Sequence, residues 1–537
     1  MLRRALLLVS LSLLATAGVG AAQTPVAPNA TIFISGRGWG HGVGLSQWGA
    51  YGFAQHGWTY DRIVTHYYRG TALGKAPLSR VRVLLGDGKK TAAVTSDVAF
   101  RVRDGAGQVY ELAAGTYSFG PGLKLKVDPA QPAKALPAPL LFSPGATPLR
   151  YGSNAYRGQL QVNVVRGALQ VVNAIGLEAY LYGVVPREVP FMWPPEALKA
   201  QAVVARSYAL AVRKTGPFDL YSDTRSQVYG GVAAEKPSTN AAVDATAAQV
   251  LLYGGKVATT FFFSTSGGQT ASVEDVWGGG DEIPYLTSVP DPYDTASPHH
   301  SWGPFVFTAK KLSSTFKVPG RLLDVRVAAN ASKRVATVTF VGSNGVVTVS
   351  GNDVRTRLGL RSTWFRFGIL GLAKPAAPIE YGSQVRLSGI ARGVAAATLQ
   401  QRVSGGAWEA ASRVAPAGDG SVAVAVKPLT STDYRLATSA TVFGPPVRVA
   451  VSPRVRLQPV TEQTTLRGLV RPVAPGARVD VQRLVGTRWA RAGTGVVDSA
   501  GAFEVAVRLT AGTYRARVAP GRGLVAGVSP VLKVVSG

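Results

Sequence analysis

The chain has 537 residues, of which 58 are Lys or Arg and 29 are Asp or Glu, for a formal charge of +29. That length excludes a single small module and suits two to four domains, and a 46% share of hydrophobic residues supplies ample core. The absence of cysteine excludes a disulfide framework, thiolate zinc sites and a cysteine nucleophile.

In chain order, residues 1–22 read first as an export signal. Arg3 and Arg4 precede the apolar run ALLLVSLSLLATA (5–17), and Gly20-Ala21-Ala22 offers small residues for cleavage. That run is short for a membrane span, which needs roughly 20 residues; an uncleaved anchor is the competing reading. The predicted location is outside the cytoplasm: periplasm, cell wall or extracellular space. Export argues against nucleic acid as a partner, and so does the dispersal of Arg without any block of five or six basic residues. The charge then suits anionic cell-surface polymers or a merely solvated surface, with at most peripheral membrane contact.

Residues 23–30 form a short linker. Residues 31–72 are dense in glycine and aromatics and hold His41, His56 and His66. Gln47 and Trp48 are placed on a short helix there. Over 79–175 the segments RVRVLLGDGKK, FRVRDGAGQVYEL and QLQVNVVRGALQVV predict alternating strands, with hairpin-type turns at Asp87-Gly88 and Asp104-Gly105. The Pro-rich stretch 129–148 is expected to be a long loop. Trp193-Pro194-Pro195 then opens a helix over 195–214, with Leu198, Ala202, Ala205, Ala209 and Val212 on one face, stopped by Gly216-Pro217. A second short helix starts at Ser238, and LLYGGKVATTFFF predicts a hairpin turning at Gly254-Gly255.

Residues 376–537 lose the helical pattern and repeat. QQRVSGGAW (400–408) matches VQRLVGTRW (481–489), Gly420 with Val422, Val424 and Val426 matches Gly501 with Phe503, Val505 and Val507, and Asp433-Tyr434-Arg435 matches Thr513-Tyr514-Arg515. The repeat predicts two all-β sandwich modules of immunoglobulin-like size, 376–452 and 453–537, with Trp408 and Trp489 in their cores. The fold class is α+β and β-rich: mixed strands with a few helices over 31–372, then the two sandwiches.

Several side chains invite chemistry. Glu188 lies in Pro186-Arg187-Glu188-Val189-Pro190, which predicts a carboxylate on a stiff loop just before a helix. Apolar Phe191, Met192 and Trp193 would raise its pKa and keep it protonated as a general acid, with Arg187 pulling the other way. Arg206 is nearly the only charge among apolar helix positions; it would orient Glu188, bind a substrate carboxylate or close a structural salt bridge. Asp223 is the candidate second carboxylate, against the commoner turn or capping role. His41, in Gly40-His41-Gly42, sits where backbone can approach a ligand closely, or is a hydrogen-bonded turn. The histidines are too irregularly spaced to form a zinc site, and His299-His300 would diverge in a strand.

The stretch LEAYLYGVVPREVPFMWPPEALKAQAVVARSYAL (177–210) resembles the stage II sporulation protein D / LytB amidase-enhancer family. The resemblance continues through DTRSQVYGG (223–231), FFFSTSGGQTASVEDVWGG (261–279), IPYLTSVPDPYD (283–294) and GNDVRTRLGLRSTWFRF (351–367), and covers roughly residues 31–370. The glycine-histidine block SGRGWGHGVGLSQWGAYGFAQHGWTYDRIVTHYYRGT (35–71) is similar to the family's, but opens the domain, whereas it closes it in the sporulation proteins; close termini tolerate such a permutation. The resemblance implies a lytic transglycosylase that cleaves peptidoglycan glycan strands with Glu188 as general acid/base and needs no cofactor or metal. It points to Arg206, Gln227, Tyr229, His41, Gln47, Trp48 and Asp223 as substrate-binding residues, and to peptidoglycan strands and a cell-wall amidase as partners. Some members carry a Cys/His metal site near the QVY position, which this cysteine-free chain cannot reproduce. A non-catalytic, glycan-binding amidase enhancer is the main alternative, and a basic structural protein of the envelope is a third.

Overall fold

A computed structural model describes residues 30–278, 282–460, 462 and 464–535; the expected signal at 1–22 lies outside them. The fold is β-rich, 43% strand and 16% helix, as the glycine-rich, alternating sequence predicts. Its first layer is a seven-stranded sheet ordered Leu220–Tyr221, Arg80–Lys89, Ala168–Gly176, Gln159–Val165, Leu140–Ser143, Phe100–Arg103, Val109–Leu112. Hairpins form around Asp104-Gly105 and between Val165 and Ala168. Asp87-Gly88 does not turn one: the strand continues to Lys89, which lies opposite Leu169. The Pro-rich stretch is only partly a loop, because Leu140–Ser143 joins the middle of the sheet, where Leu140 and Phe142 are buried.

The helices cover this sheet. α1 (Gln47–Gln55), α2 (Tyr60–Tyr67), α3 (Leu177–Tyr182), α4 (Val185–Glu188), α5 (Pro195–Ala211) and α6 (Pro237–Ala245) gather around α5. α5 begins at Pro195, where a missing N–H breaks no hydrogen bond. It is buried nearly all round rather than on one face, which its alanines permit by letting neighbours approach closely. Gly254-Gly255 turns the expected hairpin, pairing Tyr253 with Lys256. Among the described residues no helix is long and apolar enough to cross a membrane.

A second sheet is ordered Ser301–Thr308, Thr31–Arg37, Phe365–Leu372, Val385–Arg392, Ser421–Val426. It runs straight through the junction at 372–376, pairing Leu372 with Gly389. Phe33, Leu370 and Leu372 share a core with Leu387, Leu399, Val422, Tyr434 and Leu436. The last stretch has its own core, built from Val455, Leu466, Val479, Val481, Phe503 and Tyr514 among others. Trp408 and Trp489 belong to neither core. Each is half-buried on an outer sheet face beneath an arginine, Arg435 4.1 Å above Trp408 and Arg515 4.0 Å above Trp489. Stacking under a guanidinium gave these rings a berth that volume alone does not predict.

Candidate active site

Glu188 is placed by three short steps of chain. The strand Ala168–Gly176 runs directly into α3, and Gly183 then turns the backbone beneath Tyr229, whose ring lies 2.7 Å from where a Cβ would stand. Pro186 falls in the first turn of α4, so Glu188 ends a one-turn helix rather than lying on a loop. Val189 is extended (φ −134°, ψ 151°), as a residue before proline prefers. Trp193 tucks into the core, while Phe191 and Met192 are 44% and 77% exposed beside the carboxylate's segment.

Burial holds the Glu188 carboxyl above its ordinary pKa, against the opposing pull of the Val228 N–H and of Arg187. Gln47, the first residue of α1, donates from Nε2 to the Glu188 carbonyl at 3.2 Å, and Trp48 packs edge-on against Trp193 at 5.0 Å. The glycine-histidine block and the Glu188 segment, 141 residues apart, therefore touch. Two phenols that the sequence did not single out also feel this carboxyl's charge: burial chiefly raises the pKa of Tyr180 and Tyr208, and the Glu188 charge adds to it. Tyr180 donates to Gln227 Oε1 at 3.2 Å. Gln227 is buried, and its Nε2 has no partner among the described residues. Gln201 on α5 is likewise buried with both amide atoms unpartnered. A glutamine and a tyrosine among the alanines of a core helix look like packing in a sequence, which is why Gln201 and Tyr208 stayed hidden there.

The alternating glycines of the block let neighbouring backbone approach closely. Gly44 has φ +79°, and a Cβ there would lie 2.0 Å from the Phe261 carbonyl. Trp39 bridges Thr265, and Leu45 and Ser46 pair with Phe262 and Phe263, so the two motifs interlock. His41 accepts from the Val43 N–H at Nδ1 (3.1 Å) and so donates from Nε2 to the Phe262 carbonyl (3.0 Å). Burial chiefly lowers its pKa to about 4, leaving a neutral ring with both nitrogens engaged. Phe261 links it towards Glu188, at 6.2 Å from His41 and 5.9 Å from Tyr208; half-exposed Trp277 lies 4.7 Å from Phe261.

Three sequence candidates have their polar groups engaged by other residues. Arg206 is fully buried and paired with Glu178 of α3, with further bonds to the Gln249 (3.1 Å) and Val243 (3.2 Å) carbonyls. Its charge needed an acceptor, and one lay 28 residues upstream. Tyr229 is core; its hydroxyl donates to Asn173 at 2.9 Å. Asp223 is an exposed turn residue that binds Arg225 at 2.7 Å, and that hydrogen bond lowers its pKa to about 2. A buried acid pair was not foreseen. Asp294 takes Ser266, Gly267 and His300 as donors. Asp291 lies against Ser46, Tyr67 and Ser266 without a well-formed hydrogen bond, and burial, then Asp294, raises its pKa to about 7.

Residues 165–253, which hold α3 to α6 and Glu188, match the family model described as Stage II sporulation protein. Over that segment the chain is similar to stage II sporulation proteins. Stage II sporulation protein D of Bacillus subtilis is 32% identical over 229 residues, covering 39% of this chain and 65% of that one. The Amidase enhancer of Bacillus subtilis is 41% identical over 122 residues, 23% of this chain and 16% of that one. An uncharacterized protein of Brachyspira hyodysenteriae is 41% identical over 138 residues, 25% of this chain and 37% of that one. The chain thus covers less than two thirds of the length of these curated relatives. Among solved structures, a two-domain fibronectin type-III segment of chicken tenascin aligns with 31% of this chain and 97% of its own at 15% identity and a TM-score of 0.20, a likeness too slight to carry an argument.

Proposed function

We propose that this chain is an exported enzyme that cleaves peptidoglycan glycan strands by lytic transglycosylation, with Glu188 as acid and then base. The observation that carries the reading is a carboxyl kept above its ordinary pKa by burial, at the end of a short helix beside Gln47, Tyr180 and Tyr208. Protonated Glu188 gives its proton to the glycosidic oxygen as the bond from the muramic anomeric carbon breaks. The carboxylate left behind takes the proton of the muramic 6-hydroxyl, whose oxygen closes onto that carbon. No water is consumed, and Glu188 ends protonated beside a 1,6-anhydro sugar. A hydrolase would need a second carboxylate about 5–10 Å away. Asp223, the candidate for that role, is solvent-exposed and held by Arg225. Phe191 and Met192 beside Glu188, and Trp277 beside Phe261, are exposed apolar side chains suited to sugar faces. A cavity of about 1120 Å³ lies at the tail junction near Leu372, Arg386 and Pro445; a polymer strand requires an open groove.

The similarity to an amidase enhancer favours a second reading, in which the same groove holds glycan while a partner amidase cuts. In both readings the function is cell-wall related, and the tail modules are immunoglobulin-like sandwiches that place the domain on its polymer. Incubation of the purified chain with glycan strands alone separates the two: shortened strands support the enzyme, and intact strands with retained binding support the enhancer.

A further inference from the structure

Residues 376–537 carry 20 Lys or Arg against 8 Asp or Glu, and both tail modules build the same cluster from them. In the first, the Arg435 guanidinium lies 4.1 Å above Trp408 and 3.8 Å from the centre of Phe443, with Nε fixed on Gln400 Oε1 at 2.8 Å. In the second, Arg515 lies 4.0 Å above Trp489 with Nε on Gln482 Oε1, again at 2.8 Å. Gln400 and Gln482 each follow a bulge in their strand, so the local backbone is repeated as well. Strand register shows which face this is. Arg435 alternates with buried Tyr434 and Leu436, and Arg515 with buried Tyr514 and Ala516, so both point away from their cores.

Each cluster crowds like charges. Arg402 also approaches Trp408, at 4.7 Å, and together with burial it lowers the pKa of Arg435; Arg517 does the same to Arg515. Arg491 stands opposite Gln482 on that second face. The acids beside them bind other arginines: Asp433 binds Arg402, and Asp480, opposite Arg517, binds Arg478, each at 3.1 Å. Arg435 and Arg515 have no carboxylate partner among the described residues. A rigid guanidinium that donates through Nε to the protein keeps its Nη donors for an outside anion, with its ordering cost met in advance. Arg515 and Arg517 are two residues apart on one strand, about 7 Å, which suits successive charges on a chain rather than one small anion.

We propose that these two outer faces bind a phosphodiester-linked anionic polymer of the cell envelope and tether the chain to it. The choice of an envelope polymer rests on the cell-wall reading above; the binding itself does not depend on glycan cleavage. The probe is soluble poly(glycerol phosphate), titrated into the purified full chain at low salt, alongside polygalacturonate and single-stranded DNA. The parent should bind the phosphodiester polymer at least tenfold tighter than either of the others, and weaken steeply with salt. The double substitution R435Q/R515Q should lose at least tenfold in affinity, and R435K/R515K, which keeps charge but not the planar fork, at least threefold. R101Q/R150Q removes the same charge from the other end of the chain and should change affinity less than twofold. Equal loss from R101Q/R150Q would reduce the effect to net charge and overturn the proposal. So would unchanged binding by R435Q/R515Q, or tighter binding of polygalacturonate or DNA. Were R435Q/R515Q to unfold, the lysine pair would decide by the same threshold, and glycan cleavage by any variant stays a separate readout.

Discussion

Breaking the Arg206–Glu178 pair from its two ends should give unequal results, because the partners are unequally buried. Arg206 is fully buried, whereas the Glu178 side chain is 30% exposed. Glu178→Gln leaves a guanidinium in the core with only neutral acceptors, the Val243 and Gln249 carbonyls and the new amide oxygen, to compensate it. Stranding a buried charge costs about 3–5 kcal/mol. Arg206→Met removes that charge, fills much of its volume, and leaves a carboxylate that still reaches water and the Ala248 N–H at 3.0 Å; about 1–3 kcal/mol follows from the unpaired groups. The double variant should resemble Arg206→Met, since the stranded charge is gone. Urea unfolding of the three variants measures this order. Cleavage by folded Arg206→Met should keep the parent KM within about threefold, since the Arg206 side chain is fully buried. A milder loss for Glu178→Gln than for Arg206→Met would refute the burial argument. A stable Arg206→Met protein with a tenfold higher KM would return Arg206 to substrate binding.

Asp291 binds its proton more tightly folded than unfolded, so it favours the fold at low pH and opposes it increasingly as pH rises from the ordinary carboxylate range to about 7. Asp291→Asn should therefore be more stable than the parent at pH 8, by about 1–3 kcal/mol, with the gap closing by pH 4; denaturant melts at both pH values check this. Gly44→Ala must hold a side chain at φ +79° against the Phe261 carbonyl, and should cost about 2–5 kcal/mol in the same assay. A chain ending at residue 375 uncovers Phe33, Leu370 and Leu372, worth about 5–9 kcal/mol of burial, whereas one ending at 452 spares that core; comparing their unfolding midpoints and solubility should show only the second folding cooperatively.

Local patterns were legible where one short stretch decides the outcome. Pro194-Pro195 and the alanines announced α5, Gln47 opened a helix, and the Asp104-Gly105 and Gly254-Gly255 turns stand where expected. Pairings across long separations were not. Asp87-Gly88 has turn chemistry, and Gly88 keeps a positive φ of +62°, but pairing with the strand Ala168–Gly176 makes it a bulge within one strand rather than a hairpin turn. The sheet that crosses the tail junction depends on glycine at 389, where a Cβ would meet the Gly371 carbonyl at 2.3 Å, and no periodicity reveals that. Glu188 could be named from its prolines and aromatic neighbours. Its companions Tyr180, Tyr208 and Gln47 come from three separate elements, and only the packing of α1, α3, α4 and α5 brings them together. Asp223 and Arg206 were chosen for their charge, and both charges were already answered by a neighbour.

The central claim is that Glu188 moves the proton. Glu188→Gln keeps the side chain's shape and removes that proton, so it should lower glycan cleavage at least 100-fold while leaving the unfolding midpoint at pH 7 equal to or above the parent's, since a raised carboxyl opposes folding when ionised. Mass analysis of purified glycan strands after incubation reads the outcome directly. The account predicts 1,6-anhydro-muramic ends, lighter by one water than hydrolytic ends, with the parent chain and none with Glu188→Gln. Hydrolytic ends from the parent, or anhydro ends from Glu188→Gln at a rate within tenfold of the parent, would contradict it.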